Sequence, residues 1–91
     1  MLLEIVTPEA TLFSGEVDSV AVPGVNGEFQ MLNNHAPIVS ILKDGYVKIS
    51  GNIQLEEEVE AKFEKKGNAT WLAINSGTIE MKDNKVILLA D

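Results

Sequence analysis

Apolar and polar residues alternate with a period of two along most of this chain. Val47-Lys48-Ile49-Ser50 and Ile79-Glu80-Met81-Lys82 put every second side chain on one face, the pattern of a strand covered on one side. Leu3 and Ile5 alternate in the same way. Val17, Ser19 and Ala21 against Asp18, Val20 and Val22 place apolar residues on both faces, as does the run Val86-Ile87-Leu88-Leu89, which predicts a doubly buried strand. Between these segments fall Pro23-Gly24, Asn26-Gly27, Asp44-Gly45, Ser50-Gly51-Asn52, Gly67-Asn68, Ser76-Gly77 and Asp83-Asn84. Gly and Asn tolerate the positive φ that tight hairpins demand, so this punctuation predicts roughly eight to ten short antiparallel strands. The fold class that follows is all-β, a two-sheet sandwich. Nothing repeats at a solenoid or propeller period, and no linker or low-complexity tract divides the chain.

The segment from Ile53 to Lys66 fits two periods. Ile53, Leu55, Val59, Ala61 and Phe63 share one strand face, whereas Leu55, Val59 and Phe63 are also four apart among good helix formers. A strand is the expectation here. The charges Glu56, Glu57, Glu58, Glu60, Glu64, Lys65 and Lys66 read as a solvated face or as protection of a strand edge. Calcium loops interleave Asp, Asn and Gly, which consecutive Glu residues do not.

The chain has 91 residues, enough for one small core. With no cysteine, disulfides, iron–sulfur clusters and thiolate zinc sites are excluded. A formal net charge of −7 argues against nucleic acid as a partner and against direct adhesion to anionic lipid, because both need a basic face. No apolar run approaches the roughly 20 residues of a membrane helix, and Glu4 follows Met1-Leu2-Leu3 too closely for a signal peptide.

Catalytic chemistry finds little support. The single histidine, His35, cannot form a Cys/His pair or a histidine-rich metal site, and no Gly-x-Ser-x-Gly elbow accompanies it. Gly24-Val25-Asn26-Gly27 lacks the Gly-Lys-Ser/Thr and the helix that a phosphate loop requires, so it reads as a hairpin turn. No catalytic, cofactor or metal residue is expected. His35, in Asn33-Asn34-His35-Ala36-Pro37, has two readings: a hydrogen-bonding turn residue stiffened by Pro37, or a contact residue on a functional loop. Trp71 reads as a core or edge-packing aromatic, or as an interface anchor.

A set of short stretches in order then carries a resemblance: Ile5-Val6-Thr7-Pro8-Glu9, Leu12-Phe13-Ser14-Gly15, Gly27-Glu28-Phe29, His35-Ala36-Pro37, Gly45-Tyr46-Val47-Lys48-Ile49, Gly77-Thr78-Ile79-Glu80 and Val86 to Asp91. Their order and spacing resemble the N-terminal domain of the epsilon-subunit family of F-type ATP synthases. The resemblance implies a flattened sandwich of roughly ten strands, mostly antiparallel. It implies a non-catalytic central-stalk part, clamped on the gamma subunit and resting on the loops of the c-ring, that helps couple proton flow to ATP synthesis. The place implied is the cytoplasmic side of a bacterial plasma membrane, without insertion into it. On this resemblance Glu28, Asn33, Asn34 and His35 align with the ring-facing region, and Thr7, Phe13, His35 and Ser40 with the gamma-facing surface.

Two departures stand out. Relatives often carry Pro-Gly where this chain has Asn33-Asn34, and the stretch between Ile49 and Ser76 is longer than in the shorter members. The chain stops at Asp91, where the two-helix C-terminal domain of the family begins, so one sandwich domain over 1–91, with neither nucleotide binding nor inhibition of hydrolysis, is expected. The reading from another class is a free-standing β-sandwich binding module for carbohydrate or peptide, for which one Trp and one Tyr make a thin aromatic platform.

Overall fold

A computed structural model describes residues 1–91. Ten strands follow one another: β1 (Leu2–Val6), β2 (Thr11–Glu16), β3 (Ser19–Gly24), β4 (Gly27–Leu32), β5 (Ile38–Leu42), β6 (Gly45–Ser50), β7 (Phe63–Lys66), β8 (Ala69–Ile74), β9 (Gly77–Lys82) and β10 (Lys85–Ala90). Hydrogen bonding runs β2-β1-β10-β9-β5-β3-β6-β8-β7, with β4 on β3. The path folds at β5 and β3, which share only the pair Gly24 and Leu42. Two five-stranded leaves result: β2-β1-β10-β9-β5 and β4-β3-β6-β8-β7. The pairing of β1 with β10 is parallel and the others are antiparallel.

The predicted alternation sets the core. Leu3, Ile5, Ile79, Met81, Val86 and Leu88 point inward from the first leaf and meet Val20, Val22, Met31, Val47, Ile49 and Leu72 from the second. Closely packed leaves of this kind make a stiff body. The expected double burial of Val86 to Leu89 is corrected: Val86 and Leu88 are buried, but Ile87 is half-buried and Leu89 is 50% exposed. Strands β1 and β9 cover the edges of β10, and nothing packs over its outer face.

The corner is built by one long bent strand. Along β3, Ser19, Val20 and Ala21 pair with Ser50, Ile49 and Lys48 of β6, and Gly24 pairs with Leu42 of β5. Strands β5 and β6 are thus two halves of a strand that changes leaf at Lys43-Asp44-Gly45, where the Lys43 N–H donates to the Pro23 carbonyl at 2.9 Å. Gly45 has φ +154°, and a Cβ there would lie 2.8 Å from the Pro23 Cβ. Only glycine fits this bend.

The opposite side of the sandwich is closed by the ambiguous segment. The expected strand from Ile53 to Lys66 is confined to Phe63–Lys66; before it come an irregular stretch and a single 3-10 turn, Glu60–Lys62. Ile53 and Val59 are buried, and Leu55 and Phe63 pack on the core. Gln54 and Glu56 line a shallow cleft with Thr11 to Ser14 of β2. The segment is a strap that carries apolar anchors into the core between β2 and β7. Its backbone bonds are local, Glu60 N–H to the Glu56 carbonyl at 3.0 Å and Lys62 N–H to the Val59 carbonyl at 2.9 Å. Glu56, Glu57, Glu58 and Glu60 face solvent, as the charge run implied.

Candidate interaction surfaces

The outer face of the first leaf is the least ordinary surface of the molecule. Cross-strand register aligns Val6, Leu89, Thr78 and Ile41 in one row, and Glu4, Ile87, Glu80 and Val39 in the next. Val39 is 73% exposed and Ile41 63%. With Leu89, half-buried Ile87 and half-buried Val6, they form an apolar field drawn from β1, β10 and β5 and crossed by Thr78 and Glu80 of β9. Val25, also exposed, donates its N–H to the Ile41 carbonyl at 3.2 Å and extends the field to the β3–β4 turn. Single exposed apolar side chains are ordinary on protein surfaces, whereas contiguous ones mark a contact surface. Of this strand only Ser40 was expected at a contact surface, and Val39 and Ile41 were missed. The alternation Ile38-Val39-Ser40-Ile41-Leu42 is apolar on both faces, which was the available signal.

The residues expected to meet partners lie apart. Glu28 opens β4 and pairs with Lys48 at 2.9 Å, whereas Asn33, Asn34 and His35 follow the other end of that strand. Four extended residues lie between Glu28 and Asn33, a span of roughly 16 Å. The structure therefore does not bring the four into one end face. Asn33 and Asn34 are engaged within the chain: Asn33 Oδ1 accepts from the Met1 amine, and the Asn34 N–H donates to Asn84 Oδ1 at 2.8 Å. His35 is exposed; its N–H donates to the Leu32 carbonyl at 3.2 Å and its Nδ1 lies 2.7 Å from the Ala36 carbonyl oxygen. The turn role read for it is present. Thr7 sits in the β1–β2 turn, bonded to Ala10, near the Glu28 end. Phe13 is 7% exposed and belongs to the core, so its ring presents no surface. Ser40 is half-buried and shares the inward register of Ile79 between outward Val39 and Ile41.

Residues 1–91 match the family described as the ATP synthase Delta/Epsilon chain beta-sandwich domain. The chain belongs to this family. It is 42% identical over 89 residues to the ATP synthase epsilon chain of Chlorobaculum tepidum, across 98% of this chain and 86% of that one. Against the epsilon chain of Campylobacter curvus the identity is 40%, across 98% of this chain and 59% of the relative. It thus spans most of some epsilon chains and about three-fifths of others. In fold it is similar to a chain of the central stalk/c-ring structure of Tetrahymena thermophila mitochondrial ATP synthase, with a TM-score of 0.73 at 11% identity, covering 98% of this chain and 61% of that chain.

The family membership that the ordered short motifs implied is therefore established, and with it the β-sandwich. In this delta/epsilon sandwich the outer face of the second leaf is of a different kind from the first. Tyr46 and Trp71 lie side by side there, ring centroids 5.2 Å apart. The ammonium groups of Lys48 and Lys66 stand 4.6 Å and 4.8 Å from the Trp71 ring, and Glu28 and Glu64 pair with them. The chain's own cations occupy the aromatic surface, unlike the bare stacking platform of a carbohydrate module. No group of three or more His, Cys, Asp or Glu is placed to hold a metal, and no helix is long and apolar enough to cross a membrane.

Proposed function

We propose that this sandwich is a non-catalytic rotor element of an F-type ATP synthase, joining the gamma subunit to the c-ring and serving the coupling of proton flow to ATP synthesis. Family membership supplies the assembly, and the apolar field of Val6, Ile87 and Leu89 on one side of β9 with Val39 and Ile41 on the other is the observation that carries the reading. A subunit that transmits torque needs a stiff body and a broad contact. The packed leaves supply the first, and an apolar field with few charges supplies the second. Gamma is the partner assigned to this face.

The ends are assigned by the same logic. The β3–β4 hairpin presents exposed Asn26, Gly27 and Glu28 at one end of the sandwich, with Thr7 at the same end. This polar tip suits the polar loops of a c-ring. Asn33, Asn34 and His35 stand at the far end and lead directly into β5, so His35 is assigned with Val39 and Ile41 to the border of the gamma face. The complex would lie peripherally on the cytoplasmic side of a bacterial plasma membrane.

The test is calorimetric titration of isolated gamma subunit into the chain. One-to-one binding is expected, weakened about 100-fold by Val39→Ser with Ile41→Ser, since each exposed anchor contributes roughly 1–2 kcal/mol at such an interface. Unchanged affinity in the double variant would remove gamma from this face. Glu28→Ala should leave gamma binding intact and weaken retention on purified c-ring.

A further inference from the structure

The apolar field contains one charge with no partner. Glu80 stands in the second row between Ile87 of β10 and Val39 of β5, with buried Ile79 and Met81 on either side of it in β9 turning its side chain outward. The other charged groups in the strand rows of this face are Glu4, Glu16, Lys82 and Lys85, and Glu16 pairs with the Met1 amine at 3.2 Å. Glu4 and Lys85 pair with each other at 3.4 Å, and no cation lies within 4.0 Å of the Glu80 carboxylate. Lys82 is two residues along the strand, roughly 7 Å away and in the outermost row beside Lys85.

In water an exposed carboxylate costs nothing. Once a partner covers Val39, Ile41 and Ile87, the same carboxylate loses its hydration, and a charge taken from water without a counterion is expensive. A face that docks as a unit therefore requires a cation or a cluster of donors opposite Glu80. We infer that Glu80 is the polar specificity determinant of this surface, and that the partner presents an arginine or lysine side chain ringed by apolar residues. An arginine fits best, because its planar fork grips a carboxylate with two bonds and is weakly hydrated. An apolar partner lacking that cation is rejected, since it would bury Glu80 unpaired.

This inference rests on the reading of the face as the seat of gamma, and the experiment separates the two. Isolated gamma subunit is titrated into the wild-type chain and into Glu80→Gln, Lys82→Gln and Val39→Ser/Ile41→Ser variants at two salt concentrations. Glu80→Gln should weaken binding on the order of 30-fold or more and flatten its salt dependence, while Lys82→Gln stays within about threefold. Binding by Glu80→Gln equal to or tighter than wild type overturns the inference. So does a loss in Lys82→Gln as large as that in Glu80→Gln, because the counterion would then come from this chain. If the Val39/Ile41 variant is weakened and Glu80→Gln is not, the face stands and only the cation falls. If neither weakens binding, or the wild type does not bind, the assignment of gamma falls and the inference with it.

Discussion

Gly45 concentrates the requirements of the corner in one residue. Its φ of +154° excludes most side chains, and the Pro23 ring occupies the place a Cβ would take. Gly45→Ala should lower stability by about 2–4 kcal/mol, seen as a lower urea midpoint with unchanged slope. A second position acts through one hydrogen bond. Asn34 and Asn84 both have positive φ, +62° and +61°, and Asn84 Oδ1 accepts the Asn34 N–H. Asn84→Gly keeps the turn and removes the acceptor, so exchange of the Asn34 amide should rise roughly 3- to 10-fold. Asn84→Asp keeps the acceptor and should leave that amide protected. The two substitutions together separate the hydrogen bond from the turn. Neither residue's role was legible in its neighbours along the chain, because Asn34 and Asn84 meet only after β5 and β9 have paired.

Among the elements, β6 and β9 were legible from period two alone, since each has one face in the core and one in water. β10 shows where that signal fails: four consecutive apolar residues suggest burial on both faces, yet Ile87 and Leu89 lie on an open surface. A run exposed on one face and a run buried on both can have the same composition. The strap from Gly51 to Lys62 misled for a different reason. Its anchors were recognisable as apolar, but its backbone bonds close locally between Glu56 and Lys62 and leave the outer edges of β2 and β7 unpaired. Ile53→Ala should cost about 2–4 kcal/mol in chemical denaturation by opening a cavity at that side. Glu57→Gln and Glu58→Gln, on the solvent side of the same strap, should stay within about 0.5 kcal/mol.

At the scale of the whole molecule, the two leaves differ in how they present themselves. One exposes an apolar field with a lone carboxylate, and the other a Trp71 cluster whose lysines are paired with Glu28 and Glu64. On the proposed reading, a body with one such field would dock in one orientation, as an adaptor on a rotating stalk requires. The 91 residues contain no helix longer than Glu60–Lys62. Adding this chain to an enzyme complete but for its epsilon subunit should restore coupling of ATP hydrolysis to proton movement; hydrolysis that stays uncoupled would contradict the proposal. The check is hydrolysis rate beside ATP-driven acidification in the same vesicles.

The sequence by itself determined the class of fold, half of the strand positions, the turn signals between them and the family, because alternation and turn chemistry act over a few residues and the ordered motifs lie on one chain. It also separated Glu56 to Glu60 correctly as a solvated run. Only the tertiary structure decided which apolar residues were core and which were surface. It turned Phe13 inward and Val39 outward, and it placed Glu28 and His35 at opposite ends of the sandwich. Those outcomes depend on which strand lies beside which and on what, if anything, covers each leaf. Such facts belong to pairs of residues far apart in sequence, and the period of a single segment carries no record of them.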